Sequence, residues 1–206
     1  MLEPKDVHID FYSKNYRFWH RTWFGVPMLK FFSDIMSYQE IISSTKPEVI
    51  VECGVFNGGG TLFFANMLDL IGYGEVLGID IDVNNCFDIV KKHPRITLHH
   101  GSSTSQETIQ LVKKITHNKK TMVVLDSAHW KGHVLEELNL YKNIVSVGCY
   151  MVCEDSNMDF YGLWPENTGP YAAIQEFMKD NSCWFEDKSR ELYITTNPHG
   201  FLLKKC

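Results

Sequence analysis

The chain has 206 residues, 44% of them hydrophobic and 22% charged, with a formal net charge of −5. That is room for one well-buried core, and without an excess of clustered Lys and Arg it argues against a nucleic-acid or anionic-membrane partner. No stretch approaches the ~20 apolar residues of a membrane span, and "MLEPKDVHID" lacks the charged start and apolar run of a signal peptide, so a soluble, cytoplasmic protein is expected.

Residues 1–45 are aromatic-rich and lack a strand–helix rhythm; they read as an N-terminal cap, with one helix over 34–43, ahead of a single domain spanning 46–206. From residue 46 short apolar runs alternate with amphipathic segments. Strands are expected at 47–55, 75–82, 95–101, 121–127 and 149–155. Helices are expected between them at 59–72, 83–93, 105–118 and 132–146, with Ser105 capping the third. A last helix over 169–181 carries Pro170 in its first turn, and "CWFEDK", "ELYITTN" and "GFLLKK" are assigned to an antiparallel edge. The pattern implies an α/β fold: a mostly parallel, seven-stranded, Rossmann-like sheet with helices on both faces and an N-terminal helical cap. The basic pairs Lys113-Lys114 and Lys119-Lys120 read as solvated surface, and most of the six cysteines as free core thiols.

The turn "VECGVFNGGG" (51–60) lies between a strand and a helix, where backbone amides can face a polar ligand. A P-loop would need a Lys after the glycines, and a dinucleotide turn would not carry Phe56 at its middle glycine position; both readings fail. Glu52 lies two residues before Gly54, Gly58 closes the turn, and Asp80 ends the next strand. Together they suit a ligand with an amino group and a ribose, Glu52 meeting a cation and Asp80 accepting from two hydroxyls. Asp82 fits the capping of the following segment better.

Asp126 ends the fourth strand and Glu154 with Asp155 ends the fifth, so one helical crossover returns all three to the ligand-binding edge of the sheet. Converging carboxylates repel unless protonated or bridged by a cation, and oxygen ligation with no fitting Cys or His favours Mg2+ over zinc. His129 follows three residues after Asp126. His99 and His100 read as structural or exposed.

The turn and "GIDID" resemble class I S-adenosylmethionine-dependent methyltransferases, particularly metal-dependent O-methyltransferases of the catechol type. The ordered set "SYQEII", "KPEVIVECGVFNGGG", "GEVLGIDID", "HPRITLHHGSS", "LDSAHWKGHVLEELNLY", "VSVGCYMVCED" and "GPYAAIQEF...NPHGFLLKK" resembles the cephalosporin hydroxylase and rhamnosyl O-methyltransferase family. The resemblance implies S-adenosylmethionine and Mg2+ as cofactors, and a sugar or glycosylated small molecule as methyl acceptor. It implies Asp126, Glu154 and Asp155 as metal ligands and His129 as general base. Glu52, Gly54, Gly58, Asp80, Ser102, Ser103, Asp126 and Gln39 would hold the cofactor, Ser102 and Ser103 near the adenine and Gln39, with Tyr38, near the methionine end. A homo-oligomer is implied as well. Hydroxylation is the competing enzymatic reading, weakened by the lack of a second histidine for a two-His-one-carboxylate iron site. A non-catalytic subunit that assists a partner enzyme is the third. Trp19, Trp23 and Trp164 stack on a sugar ring or fill the core; the sequence does not choose.

Overall fold

The structure, a computed structural model, describes residues 4–13 and 21–206. Trp19 lies outside the described residues. Helix α1 (Pro4–Ser13) is followed by a two-stranded ribbon, β1 (Thr22–Trp23) with β2 (Val26–Pro27), and by α2 (Phe32–Thr45). The main unit then runs β3 (Val49–Cys53), α3 (Gly59–Ile71), β4 (Glu75–Asp80), α4 (Asp88–Lys91), β5 (Ile96–His100), α5 (Gln106–Thr116), β6 (Thr121–Leu125), α6 (Lys131–Tyr141) and β7 (Tyr150–Cys153). It closes with α7 (Asn157–Phe160), α8 (Pro170–Lys179), β8 (Trp184–Glu186) and β9 (Phe201–Lys204).

The seven strands lie in the order β5-β4-β3-β6-β7-β9-β8, five parallel and the last two antiparallel. The expected Rossmann-like sheet is therefore observed. Strand alternation divides the core between its two faces. Val49, Val51 and Cys53 face α5, α6 and α8, with Val112, Leu138, Tyr141 and Phe177. Ile50 faces the other way with Val124 and Val152, under Tyr38, Ile41 and Ile42 of α2 and Phe63 and Phe64 of α3. Even-numbered residues of β3, β6 and β7 thus share the α2–α3 face, and continuing each strand by that rule carries Glu52, Asp126 and Glu154 to that same face.

Local signals account for several boundaries. The Ser105 side chain accepts from Thr108 N at 3.2 Å and starts α5, and Pro170 occupies the first turn of α8. Two expectations are corrected. The helix expected over 83–93 shrinks to Asp88–Lys91, because Asp82 folds its side chain onto Asn84 N (3.0 Å) and Asn85 Nδ2 (2.7 Å), closing a turn instead of opening a helix. "ELYITTN" forms no strand: Leu192 and Tyr193 are both exposed, and the seventh strand is Phe201–Lys204. Residues 195–197 instead wrap the buried Asp34 of α2, which accepts from Thr195 Oγ1 (2.5 Å), Thr196 N (2.9 Å) and Thr196 Oγ1 (2.9 Å). Four cysteines (53, 86, 149 and 153) are free and buried, while Cys183 and Cys206 form a disulfide across the β8–β9 edge. No described helix is long and apolar enough to cross a membrane.

Burial pushes the Asp34 carboxyl from its ordinary 3.8 up to about 6, although its bonds to Thr195 and Thr196 pull the other way. A carboxyl with a higher pKa folded than unfolded binds more protons in the folded state. Its contribution to stability is complete below about pH 4 and is lost as pH rises through about 6. Asp34→Asn is expected to flatten the fall in stability between pH 4 and 7 by up to about 3 kcal/mol, measured by urea unfolding across that range.

Candidate active site

A cleft of about 840 Å³ opens at the carboxyl ends of β3, β4, β5 and β6, where strand order reverses about β3. Its wall carries Glu52, Gly54, Asp80, Ser102, Ser103, Asp126, His129 and Asp155, gathered from the carboxyl ends of five strands. Gln39 is not part of that wall. Its neighbour Tyr38 is fully buried, and the Tyr38 hydroxyl donates to Glu154 Oε1 at 2.5 Å.

The glycine turn resolves into separate steric requirements. Gly54 has φ +93°, and a Cβ there would stand 1.9 Å from the carbonyl oxygen of Asp126; Asp126 N donates to Cys53 O at 2.7 Å across the same seam. Gly58, also at φ +93°, packs on Val90. A Cβ at Gly59 would meet the carbonyl oxygen of Pro27, and one at Gly60 would meet Glu52 Oε1 at 2.5 Å and Lys30 Cε at 2.8 Å. Two of the three consecutive glycines therefore make room for the segment 27–30. Asp80 binds the turn itself: its Oδ2 accepts from Val55 N (2.7 Å) and Phe56 N (2.9 Å), and its Oδ1 accepts from Asp82 N (2.9 Å). The acid at the end of β4 thereby fixes the loop whose glycines face the cleft.

The two acids at the end of β7 part company. Glu154 follows the alternation of β7 onto the α2–α3 face and is buried, whereas Asp155 has φ +56° and leaves the strand toward the cleft. One donor atom each from Asp126, His129 and Asp155 lies within 4.8 Å of the others, and His129 Nε2 is 3.3 Å from Asp155 Oδ2. Glu154, expected as a ligand, is not among these three donors; its Oε1 accepts from Lys30 and from Tyr38. Lys30, 6% exposed, donates from Nζ to Glu154 Oε1 and to Asp126 Oδ2 (3.1 Å), and Glu52 Oε1 lies 3.9 Å away.

The electrostatics follow from this inventory. Burial and the neighbouring Asp126 push the Glu154 carboxyl up, while Lys30 opposes them. Burial likewise pushes Glu52 up to about 8 against the pull of Lys30 and of Thr61, whose hydroxyl donates to Glu52 Oε2. Burial alone would lower the Lys30 pKa, but the charges of Asp126, Glu154 and Glu52 outweigh it and hold the ammonium well above its ordinary range.

A second group, of which the sequence reading named only Ser103, lies along the cleft. His133 Nε2 is 3.1 Å from Ser127 Oγ, 3.3 Å from Ser103 Oγ and 3.4 Å from Glu137 Oε1; Ser127 Oγ donates to Glu137 at 2.7 Å. The bond to Glu137 pushes His133 up. His133 and Glu137 are four residues apart on α6, so the helical spacing was a usable signal. Ser103 is buried and also held by Tyr141, whose hydroxyl donates to the Ser103 carbonyl at 2.8 Å. His99 Nε2 pairs with Thr108 Oγ1 at 3.0 Å and has a structural role, while His100 is exposed.

Residues 15–205 match the family model described as "Rhamnosyl O-methyltransferase/CmcI". The rhamnosyl O-methyltransferase of Mycobacterium leprae (strain TN) is 32% identical over 216 residues, covering 100% of this chain and 94% of that protein. Among solved structures, CmcI with magnesium and S-adenosylmethionine superposes with a TM-score of 0.73 at 21% identity, over 96% of this chain and 84% of CmcI. The MycE methyltransferase of the mycinamycin biosynthetic pathway, with magnesium and S-adenosylhomocysteine, gives 0.57 at 12% identity, over 99% of this chain and 55% of MycE. At these identities the two structural likenesses speak for the fold.

Proposed function

The chain belongs to the rhamnosyl O-methyltransferase/CmcI family and is an S-adenosylmethionine-dependent O-methyltransferase; from that premise we propose that it methylates a hydroxyl of a sugar or a glycosylated small molecule with help from a divalent ion. The observation that carries this reading is the convergence of Asp126, His129 and Asp155 at one corner of the cleft. Two carboxylates, with an imidazole close by to serve as base, fit Mg2+ or Mn2+, and the corner lacks the thiolates of a structural zinc site. It also lacks a second histidine for an iron centre of the two-His-one-carboxylate kind, which disfavours hydroxylation.

When bound, the sulfonium supplies an already activated methyl group and the divalent ion lowers the pKa of the acceptor hydroxyl. Asp126 and Asp155 are the residues that would hold the ion. His129 Nε2, 3.3 Å from Asp155 Oδ2, takes the hydroxyl proton. Asp80 keeps the glycine turn closed through Val55 N and Phe56 N on Oδ2 and, with Asp82 N on Oδ1, leaves one Oδ1 lone pair for a ribose hydroxyl. Ser102 and Ser103, after the neighbouring strand β5, also line the cleft, and the adenine would lie beside them. The protein's work is positioning: holding the acceptor oxygen in line with the methyl carbon and sulfur.

S-adenosylhomocysteine should bind at micromolar concentration in isothermal titration, and Asp80→Ala should weaken it by roughly 10- to 100-fold, since both the turn and the ribose lose their acceptor. Millimolar binding by the unaltered protein would contradict the cofactor assignment.

A further inference from the structure

Ser127, His133 and Glu137 take no part in the proton and methyl transfers, yet they join two loops of the cleft. Ser127 follows Asp126 beyond the end of β6 and Ser103 lies in the loop after β5; His133 of α6 stands between them, its Nε2 3.1 Å from Ser127 Oγ and 3.3 Å from Ser103 Oγ. Glu137, one turn further along α6, is fully buried. Its Oε1 accepts from Ser127 at 2.7 Å and lies 3.4 Å from His133 Nε2, while its Oε2 has no hydrogen-bond partner among the described residues. The trio is not built as a nucleophile: a Ser-His-acid triad sets the acid on the ring nitrogen away from the serine, whereas Ser127 and Glu137 both meet Nε2. Resting on the placement of the adenine beside Ser103 proposed above, we infer that Glu137 and His133 are positioning residues that fix Ser103 as a hydrogen-bond donor, so that the cleft selects its cofactor by an unprotonated ring nitrogen of the purine.

Hydrogens are scarce in this cluster. A carboxylate only accepts, a serine hydroxyl brings one hydrogen, and a neutral imidazole brings one. With one Glu137 oxygen already orphaned, and a buried acceptor costly to leave unmade, the hydrogens of Ser127 Oγ and His133 Nε2 are drawn toward the carboxylate. The upward push on the His133 pKa, caused first by its bond to Glu137, has the same sense. An Nε2 that carries a hydrogen has no lone pair for Ser103. Among the described residues the Ser103 hydroxyl pairs with His133 alone, and the Ser103 carbonyl is taken by the Tyr141 hydroxyl at 2.8 Å. The Ser103 hydrogen is left to point into the cleft that Ser103 lines. Polarity then decides what is read: a donating hydroxyl meets a ring nitrogen of adenine, whereas the same hydroxyl turned toward His133 would accept from the exocyclic amine.

S-adenosylhomocysteine and its 1-deaza, 3-deaza and 7-deaza counterparts, each lacking one ring nitrogen, are titrated calorimetrically into the full chain and into its Ser103→Ala and Glu137→Gln variants. One of the three analogues is expected to bind the unaltered chain at least ~5-fold more weakly than S-adenosylhomocysteine, because it leaves the Ser103 hydrogen without an acceptor. Ser103→Ala should bring that analogue within about twofold of the parent ligand. Glu137→Gln should do the same, although Glu137 does not line the cleft: the new amide donates to Nε2, the ring hydrogen moves to Nδ1, and Ser103 turns its own hydrogen to His133. Discrimination that survives in Ser103→Ala or in folded Glu137→Gln overturns the inference, including the case where Glu137→Gln weakens all four ligands alike, which is the mark of a merely structural residue. Equal micromolar binding of all four by the unaltered chain also overturns it. Should Glu137→Gln fail to fold, nitrogen-15 NMR of the His133 ring in the unaltered chain decides: a hydrogen on Nε2 supports the inference and a bare Nε2 overturns it. Binding of S-adenosylhomocysteine by the unaltered chain only at millimolar concentration overturns the cofactor-site reading, and the inference falls with it.

Discussion

Asp126→Asn is expected to reduce methyl transfer by about a thousandfold with little change in S-adenosylhomocysteine affinity, the loss corresponding to several kcal/mol of electrophilic assistance. Among the described residues, Asp126 alone belongs both to the Lys30 cluster and to the metal corner. Asparagine keeps the volume and one acceptor but removes the charge that attracts the ion, so added Mg2+ or Mn2+ should rescue poorly. His129→Ala provides the contrast. General-base catalysis is worth roughly 10²–10⁴ in rate, and that variant should lose turnover while keeping its metal affinity. Equal metal affinity in Asp126→Asn and the unaltered chain, measured by Mn2+ titration, would sink the assignment of Asp126 as a ligand.

Gly54→Ala is expected to be the most damaging single methyl group in the protein. Two independent costs coincide: φ of +93°, which L side chains rarely adopt, and a Cβ placed 1.9 Å from the Asp126 carbonyl oxygen. Strain and overpacking together amount to roughly 2–6 kcal/mol. Thermal unfolding should therefore fall by about 5–20 °C for a chain of this size. The relief available is movement of residues 126–127 away from β3, and that displaces the ligand edge, so any folded remnant should bind Mn2+ weakly. Gly132→Ala is the control. It lies near the start of α6 with nothing within 4 Å of the added Cβ, so it should change stability by less than ~1 kcal/mol, in the stabilising direction. A Gly54→Ala protein as stable as the Gly132→Ala protein would contradict the packing described at the turn.

These residues also mark what the sequence made legible. Short, near-continuous apolar runs set between amphipathic segments located β3, β4, β6 and β7, and acids at run ends located Asp80, Asp126 and Asp155, because one crossover rule carries every such residue to one sheet edge. Glu154 and Asp155 were assigned to the metal together, although neighbours on a strand point to opposite faces; the left-handed backbone at Asp155 is what brings that side chain to the cleft. Lys30 was invisible. Its partners Asp126 and Glu154 lie 96 and 124 residues away, and "PMLKFF" carries neither period nor motif. "ELYITTN" misled because β-branched and aromatic residues satisfy strand preference, while its buried threonines were satisfied by Asp34 rather than by a neighbouring strand. Gln39 was placed by resemblance alone, and the helical phase of α2 turns Tyr38 inward instead.

The central claim, that the cleft joins an S-adenosylmethionine site to a divalent-ion corner acting on a sugar hydroxyl, is tested most directly by transfer of a labelled methyl group. The unaltered protein, S-adenosylmethionine carrying a radioactive methyl and a rhamnose-terminated glycoside are incubated with Mg2+ or with excess chelator. The account predicts label on a sugar oxygen, abolished by chelator and restored by added Mg2+. Label transferred at the same rate in chelator would contradict it.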